Sequence, residues 1–330
     1  METSREALRE CKHLERVQGS WKEIQWRQHE EKMSRIREQV ILRSKGNPAR
    51  PTSDPMSLGR TRNKEGTEEV FTISQECPDQ YVTMGATLTT NSVPRFVMEH
   101  QLKIYLLAEP VVHKRRPVAP EGRLALKENV FRWLREGLIR KVLHPEWITN
   151  AIPIKLTNGT WKVQIDYSGL NKACAKDMYP FPEEGENLAS LMGYPYKCFL
   201  QLPKEYSQIR MAEEDEEKTG FHTEEGAYCF THIPKELKNS AATLQRMMEK
   251  VLTDQRGRNV EIYLEEIVVK RKSELDLVQD VKKSLRKLKR VNIKIDPAMS
   301  SFGVKEGRFL GYMVTEEGLR ADPKKYRQSS

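Results

Sequence analysis

The chain has 330 residues, of which 38% are hydrophobic and 31% are charged, and its net charge is +9. That content supplies a core for one large or two ordinary domains, and the positive charge favours polyanionic partners such as nucleic acid. No apolar run approaches the roughly 18 to 20 residues of a membrane span, and the N-terminus has no apolar secretory core. Five widely spaced cysteines without a CxxC pair indicate neither a zinc module nor a disulfide framework. We therefore expect an intracellular protein of the cytoplasm or nucleus, with no membrane partner.

The N-terminal part reads as a charged segment followed by a linker. Residues 1–43 are almost free of Gly and Pro, and Leu14, Val17, Trp21 and Ile24 follow a 3-4-3 spacing. This pattern predicts a charged helix, either solvated on its own or a weak coiled coil for self-association. Residues 44–66 have the Pro, Gly and Ser content of a flexible linker.

The rest of the chain alternates strand and helix signals without the regular order of a doubly wound fold, so the fold class is α+β. Residues 67–100 carry short strands leading into the core, and Asn158-Gly159 is a strong hairpin signal. The predicted elements are strands at 70–74 and 80–85, an amphipathic helix over 124–142 that turns at Gly137, a hairpin over 151–167, a helix over 239–255, a hairpin over 259–270, a basic helix over 277–292 and short closing strands.

Two adjacent acids, Glu265 and Glu266, interrupt the apolar hairpin EIYLEEIVVK and are expected at its tip. Such a pair is most often a solvated turn. The chemical alternative is a tip that presents carboxylates to divalent metals, as in-line phosphoryl transfer requires.

Four other segments of the sequence carry further motifs in addition to that hairpin. They read HPEWITNAIPIKLTNGTWKVQIDYSGLNKACAKDMYPFP, YSQIRMAEEDEEKTGFHTEEGAYCFTHIP, LKNSAATLQRMMEKVL and KIDPAMSSFGVKEGRFLGYMVTEEGLRADPKK. In order and spacing, they resemble the reverse transcriptase domain of gypsy-type long-terminal-repeat retrotransposon polyproteins, of a plant-like kind. The resemblance begins near residue 67. It implies the fingers and palm of a right-hand polymerase over 101–330, with an antiparallel palm sheet backed by helices. Fingers would lie mainly in 101–186 and 213–233, and palm mainly in 187–212 and 234–326.

The resemblance places three metal-binding aspartates of the family at Gln201, Glu265 and Glu266. Glu265 and Glu266 would thus be metal ligands for Mg²⁺ or Mn²⁺, weakened or lost. The loop beside the incoming nucleotide, Met-Pro-Phe-Gly-Leu in the family, here has Pro234, Lys235 and Glu236 at its centre. Both the phenylalanine and the glycine are replaced.

Other positions match the family more closely. The implied nucleotide-binding residues are Lys155, Lys162, Tyr206, Pro234, Lys235 and Gln245. The implied primer grip consists of Phe309, Leu310, Gly311 and Tyr312. The implied partners are an RNA/DNA template-primer and deoxynucleoside triphosphates.

The substitutions weaken the implied metal chemistry. A neutral amide at Gln201 removes one anion, and each Asp-to-Glu change moves a carboxylate by roughly an ångström, where Mg²⁺ demands near-octahedral geometry. Neither Asp166 nor Asp296 replaces Gln201, and the acidic run 213–217 is expected to be a solvated helix start. Two readings remain: a polymerase, and a non-catalytic binding module that uses Lys155, Lys162 and the basic helix 282–290. A third assigns the activity to oligomerisation through residues 1–43.

Overall fold

The computed structural model describes residues 92–203 and 206–321, together with the strands at 60–62, 68–72 and 81–85. The chain divides into two compact units, Met1–Ser57 and Leu58–Ser330, and only the second contains described residues. The predicted helix and self-association segment at 1–43 therefore lie outside the described residues. The strand Arg60–Arg62 falls within the segment predicted as linker, 44–66.

Seventeen strands, six α-helices and three short 3-10 helices make up the described elements. The strands are β1 Arg60–Arg62, β2 Glu68–Thr72, β3 Tyr81–Gly85, β4 Glu99–His100, β5 Ile139–Val142, β6 Thr149–Lys155, β7 Trp161–Ile165, β8 Tyr196–Gln201, β9 Arg210–Met211, β10 Phe221–His222, β11 Ala227–Phe230, β12 Val260–Tyr263, β13 Glu266–Arg271, β14 Ser301–Val304, β15 Gly307–Phe309, β16 Tyr312–Val314 and β17 Leu319–Ala321. The helices are α1 Pro120–Arg135, α2 Ser168–Ala173, α3 Glu184–Ala189, α4 Glu213–Glu216, α5 Ser240–Val251 and α6 Glu274–Arg290. No helix in this part of the chain is long and apolar enough to cross a membrane.

The fingers part is built on a five-stranded sheet of order β5-β11-β10-β6-β7. The predicted hairpin forms β6 and β7, and Gly159 in its turn has φ +81°, a conformation that glycine adopts without strain. Trp133 of α1 packs on this sheet against Phe221 and Phe230. The sheet therefore holds both the hairpin and α1 in fixed positions.

The helix predicted over 124–142 is shorter and lies earlier than expected. It begins at Pro120 and ends at Arg135, and Gly137 with φ +67° reverses the chain. The following residues form β5, which pairs with β11 and buries Ile139 and Val142. Apolar residues three positions apart, such as Ile139 and Val142, are compatible with either a helix or a strand. Here the segment is a strand because it pairs with β11, which is distant in sequence.

The palm sheet is antiparallel, with order β12-β13-β8-β14. Side chains alternate between its faces because the strand period is two. One face packs against α5 and α6 through Cys198, Leu200, Val260, Ile262, Ile267 and Val269. The other face packs Phe199 and Val268 against Leu188, Leu191, Phe309 and Val314.

The β15 strand reaches this second face only because residue 307 is glycine. A Cβ on Gly307 would lie 2.2 Å from Cε2 of Phe199. The absence of a side chain allows the hairpin of β15 and β16 to rest directly on the Phe199 ring.

The acidic run at 213–217, expected to be a solvated helix start, is instead partly buried. The backbone N–H of Leu102 donates to Asp215 Oδ2 at 2.6 Å. Glu216 is 6% exposed and pairs with Arg95 and Arg140, each at 2.9 Å. Buried carboxylates require partners, and these come from segments too distant in sequence to be read locally. The run fixes residues 95–102 to the fingers.

Candidate active site and fingers cleft

The turn between β12 and β13 carries the implied metal-binding pair. Tyr263 pairs with Glu266, so the two turn residues are Leu264, with φ +53°, and Glu265. The expectation that both acids form the tip is wrong by one residue, since Glu266 begins β13. The backbone N–H of Leu264 donates to Gln245 Oε1 at 2.6 Å, and this bond steadies the left-handed turn.

Gln201 lies beside this turn. It ends β8 directly opposite Glu266 in the register of the sheet. Its backbone N–H donates to Ser300 Oγ at 3.0 Å, and its carbonyl accepts from the Asp296 N–H at 2.7 Å. The structure therefore brings Gln201 beside Glu265 and Glu266, although Gln201 lies more than 60 residues before them in the sequence.

The nearby Asp296 does not replace the missing acid. Its carboxylate accepts from the Ala298 N–H at 3.0 Å and caps the short 3-10 helix Pro297–Met299. Asp166, the other candidate, accepts from the Ser168 hydroxyl at 2.6 Å, which lowers the pKa of its carboxyl group. Both acids have structural partners within their own loops.

Glu265 turns its carboxylate towards the protein. Its Oε2 atom is buried and has no hydrogen-bond partner within the described residues. It borders a small cavity of about 10 Å³ whose walls include Leu202, Tyr206, Leu244 and Met247. Burial, and to a lesser degree the Glu265 charge, raises the pKa of Tyr206. The longer glutamate therefore places its charge in a largely apolar corner.

Glu266 is used differently. Its Oε2 accepts from the backbone N–H of Leu310 at 2.8 Å. Leu310 and Gly311 form the turn between β15 and β16, with φ +54° and +76°, while Phe309 is buried and Tyr312 is 39% exposed. The implied primer-grip hairpin is thus tied to the second acid.

These donors do not fit a divalent metal. Among the residues that the structure describes, no group of three or more His, Cys, Asp or Glu side chains could hold a metal ion. The three implied positions supply an amide, a carboxylate with a buried oxygen and a carboxylate bonded to Leu310. Mg²⁺ needs oxygen ligands in near-octahedral geometry, and these three side chains do not supply them.

Replacing the two adjacent glutamates by methionine is expected to change stability in opposite directions. Glu265→Met removes a buried, unpaired oxygen from apolar walls and should raise the free energy of unfolding by about 1 kcal/mol. Glu266→Met removes the acceptor of the Leu310 N–H and should lower it by about 1 to 2 kcal/mol. Urea unfolding of each variant measures the change in its free energy of unfolding relative to the natural chain. Equal shifts of one sign would show that the two carboxylates have the same environment.

A cleft of about 540 Å³ lies in the fingers part of the structure. It is bounded by α1, by β7 and by the loop after β11, and it contains Lys162, Pro234, Lys235 and Glu236. Lys162 Nζ lies 3.7 Å from Glu236 Oε1. Lys155, elsewhere on the hairpin, is exposed and pairs with Glu121 at 3.2 Å. It does not line the cleft.

The loop at 233–238 keeps a backbone shape that suits glycine. Glu236, at the family's glycine position, has φ +71°. The Asn171 side chain holds the loop, since its Nδ2 donates to the Glu236 carbonyl at 2.8 Å and its Oδ1 accepts from the Lys238 N–H at 2.7 Å. No local sequence pattern marks Asn171 as a functional residue, because its partners are more than 60 residues away.

Two implied nucleotide-binding residues are less accessible than the resemblance suggests. Gln245 is fully buried, and its amide donates to Glu249 Oε1 at 2.9 Å and to the Ile262 carbonyl at 3.2 Å. Tyr206 is half-buried at the small cavity that Glu265 borders. In this structure the Gln245 side chain holds the β12–β13 turn through the bond from the Leu264 N–H.

The basic helix expected to help bind template lies elsewhere. Leu277, Val278, Val281 and Leu288 of α6 pack on the helix-covered face of the palm sheet. Gln201, Glu266 and the β15–β16 hairpin lie on the opposite face, by strand alternation. Lys283 pairs with Asp254 at 2.9 Å. The α6 cations and the β12–β13 turn therefore belong to different surfaces.

Sequence comparison agrees with this architecture. Residues 152–314 match the family described as reverse transcriptase (RNA-dependent DNA polymerase). The retrovirus-related Pol polyprotein of transposon opus from Drosophila melanogaster is 31% identical over 67% of this chain and 22% of its own length. The transposon Tf2-3 polyprotein of Schizosaccharomyces pombe is 27% identical over 74% of this chain and 19% of its own. The chain thus spans about a fifth of these relatives.

Solved structures show the same fold. The foamy viral protease-reverse transcriptase in complex with an RNA/DNA hybrid superposes with a TM-score of 0.62 at 16% identity, covering 69% of this chain and 31% of that one. The native prototype foamy virus protease-reverse transcriptase gives 0.59 at 22% identity, covering 70% and 30%. The predicted α+β fold of polymerase fingers and palm is confirmed. Residues 152–314 of this chain therefore form a domain of the reverse transcriptase family, of the kind found in retrotransposon polyproteins.

Proposed function

We propose that this chain is the reverse transcriptase domain of a gypsy-type retrotransposon polyprotein that binds a template-primer but has lost most or all of its polymerase activity. The observation that supports the loss is the state of the three implied metal positions. Gln201 is neutral, Glu265 Oε2 is buried with no hydrogen-bond partner in the described part of the chain, and Glu266 is bonded to the Leu310 N–H. One anion is missing and two are directed into the protein.

Efficient nucleotidyl transfer depends on positioning, and a misplacement of about an ångström can cost about a hundredfold in rate. In the family, Mg²⁺ or Mn²⁺ supplies Lewis-acid activation of the primer hydroxyl and neutralises the triphosphate. The side chains present here do not offer the required set of oxygens. Deoxynucleoside triphosphates are therefore proposed as ligands rather than as efficiently used substrates.

Template-primer binding rests on the fold and on charge. The superposed foamy viral protein has been solved with an RNA/DNA hybrid and with double-stranded DNA. In this chain, exposed Lys155 and Lys162 lie on the β6–β7 hairpin beside the fingers cleft. Cations on that hairpin would contact phosphates, which supply most of the sequence-independent affinity for nucleic acid.

The test measures binding and extension on one substrate, an RNA template annealed to a fluorescent DNA primer. We expect fluorescence anisotropy to show saturable binding, with an association constant whose logarithm falls linearly with the logarithm of the salt concentration. A Lys155→Gln/Lys162→Gln variant should lower the magnitude of that slope by about 1 to 2. An Arg286→Gln/Lys289→Gln variant on α6 is the matched control and should leave the slope unchanged. Primer extension should be absent in Mg²⁺ and weak or absent in Mn²⁺.

Efficient extension in Mg²⁺ would contradict the proposed loss of catalysis. Equal effects of the hairpin and α6 variants would contradict the proposed binding surface.

A further inference from the structure

The fingers cleft has a wall that the nucleotide-binding residues implied by the family do not include. Helix α1 contributes Arg132 and Arg135, which face β7 and the 230–236 loop across the cleft. The cleft volume of about 540 Å³ falls within the roughly 300 to 1,000 Å³ of small-molecule sites. A single nucleotide fits that size.

The charge of the cleft favours an anion. Four cations line it (Arg132, Arg135, Lys162 and Lys235), against two carboxylates, Glu128 and Glu236. Within the described residues, the Arg132 guanidinium donates a hydrogen bond to the Asn129 side chain at 2.5 Å, and neither Arg132 nor Arg135 has an ion-pair partner. Two guanidinium groups without carboxylate partners present the bidentate donors that phosphate groups accept.

Aromatic groups make the cleft suited to a nucleotide rather than to a bare anion. The partly buried Trp161 and the ring of His232 line it. Burial, followed by the Arg210 and Arg95 charges, lowers the pKa of His232 to about 4, so its ring is neutral at pH 7. The partly exposed Trp161 ring next to these cations provides base stacking together with phosphate contacts, while the buried His232 ring adds no charge to the wall.

Glu236 occupies the position where an anion would meet Lys162. Its Oε1 lies 3.7 Å from Lys162 Nζ, and both residues line the cleft. The loop backbone is held by Asn171 independently of the carboxylate. The carboxylate can therefore be neutralised without loss of the bonds that shape the loop.

We propose that Arg132 and Arg135 of α1, together with Lys162 and Lys235, bind the phosphate groups of a nucleotide in this cleft without a divalent metal, and that Glu236 is a built-in competitor for the site. The inference rests on the proposed function, since it assigns the nucleotide a place in a domain whose metal turn is impaired. It adds α1 to the nucleotide site and makes affinity independent of Mg²⁺.

The test is equilibrium binding of deoxythymidine triphosphate, inorganic triphosphate and deoxythymidine by calorimetry in EDTA at low salt. We expect saturable binding of deoxythymidine triphosphate, weaker binding of inorganic triphosphate, and deoxythymidine at least about tenfold weaker than deoxythymidine triphosphate. Arg132→Gln/Arg135→Gln should weaken deoxythymidine triphosphate about tenfold or more, the size expected for charge-assisted hydrogen bonds. Glu236→Gln should tighten it several-fold.

Arg123→Gln is the matched control, because Arg123 lies on α1 but pairs with Glu224 at 3.4 Å and does not line the cleft. Unchanged affinity in Arg132→Gln/Arg135→Gln would overturn the proposal, as would binding that requires Mg²⁺ or a weaker complex with Glu236→Gln. Template-primer anisotropy is measured on the same proteins. If the natural chain binds the nucleotide but not the template-primer, the proposed function alone is contradicted. If it binds the template-primer but not the nucleotide, this inference alone is overturned.

Discussion

Restoring the three family aspartates, in a Gln201→Asp/Glu265→Asp/Glu266→Asp variant, is expected to raise primer extension in Mg²⁺ about a hundredfold over the natural chain. The physical reason lies in the paired ends of β8 and β13. Gln201 and Glu266 are directly opposite each other there, so an aspartate at 201 adds an anion beside the turn. A shorter side chain at 265 cannot reach as far into the cavity between Tyr206 and Met247.

The measurement is single-turnover extension of an RNA-templated DNA primer, with the natural chain and Gln201→Asp alone run beside the triple variant. The single variant should gain little, because Glu265 Oε2 stays buried. A five-site variant that also carries Lys235→Phe and Glu236→Gly tests whether the nucleotide loop limits the rate. If the natural chain extends as fast as the triple variant, glutamates at this turn support catalysis and the proposed loss is wrong.

Local sequence patterns predicted the elements whose ends are set by local chemistry. Asn158-Gly159 fixed the β6–β7 hairpin, and the apolar spacing of 239–255 gave α5 at Ser240–Val251. The basic helix predicted over 277–292 forms as Glu274–Arg290, where the Ser273 hydroxyl caps the first turn. Each of these features depends on residues close together in the chain.

Features decided by distant partners could not be predicted in this way. Residues 139–142 are a strand because β11 pairs with them, and Asp215 is buried because the Leu102 N–H reaches it. Neither contact leaves a local signal in the sequence. The hairpin tip was misplaced by one residue, because the register of Tyr263 with Glu266 depends on the whole ladder.

In the candidate site, too, the residue positions could be predicted from the sequence, whereas the contacts of their side chains could not. Motif position identified Gln201, Glu265 and Glu266, and the sheet brings them together. What the motif could not show is where each side chain points: Glu265 into a cavity, Glu266 to the β15–β16 hairpin and Gln245 to the Leu264 N–H. The same limit hid Arg132 and Arg135, whose place in the cleft follows from packing of α1 on the fingers sheet.

Lowering the pH from 7.5 to 4.5 is expected to destabilise the domain through two buried histidines. Burial lowers the pKa of His100 from 6.5 to about 4, and the pKa of His232 falls equally, with Arg210 and Arg95 adding to burial. His100 is 1% exposed, and its Nε2 has no hydrogen-bond partner within the described residues. Protonation would place a charge in this buried position, where the nearby Asp215 charge offsets only part of the cost of burial, so the folded state resists it.

The sign follows from proton binding. Between pH 6.5 and 4 the unfolded chain binds more protons at these histidines than the folded chain, so stability rises with pH across that window. The stabilisation is complete above about pH 6.5 and is lost as the pH falls towards 4, by about 3 kcal/mol for each histidine. Urea unfolding midpoints measured from pH 7.5 to 4.5 report the summed contribution of both histidines together with that of the carboxylates.

His100→Gln isolates one contribution, because glutamine can still hydrogen-bond to Thr243 Oγ1, which lies 2.8 Å from His100 Nδ1, but does not titrate. We expect this variant to lose about half of the histidine-dependent slope while it keeps the slope due to carboxylates, and His232→Gln to behave similarly. His100 and His232 flank β9, through the pairs His100–Met211 and His232–Arg210, so the double variant also measures any coupling between the two rings. A pH slope in the double variant equal to that of the natural chain would mean that neither ring is held neutral by the fold.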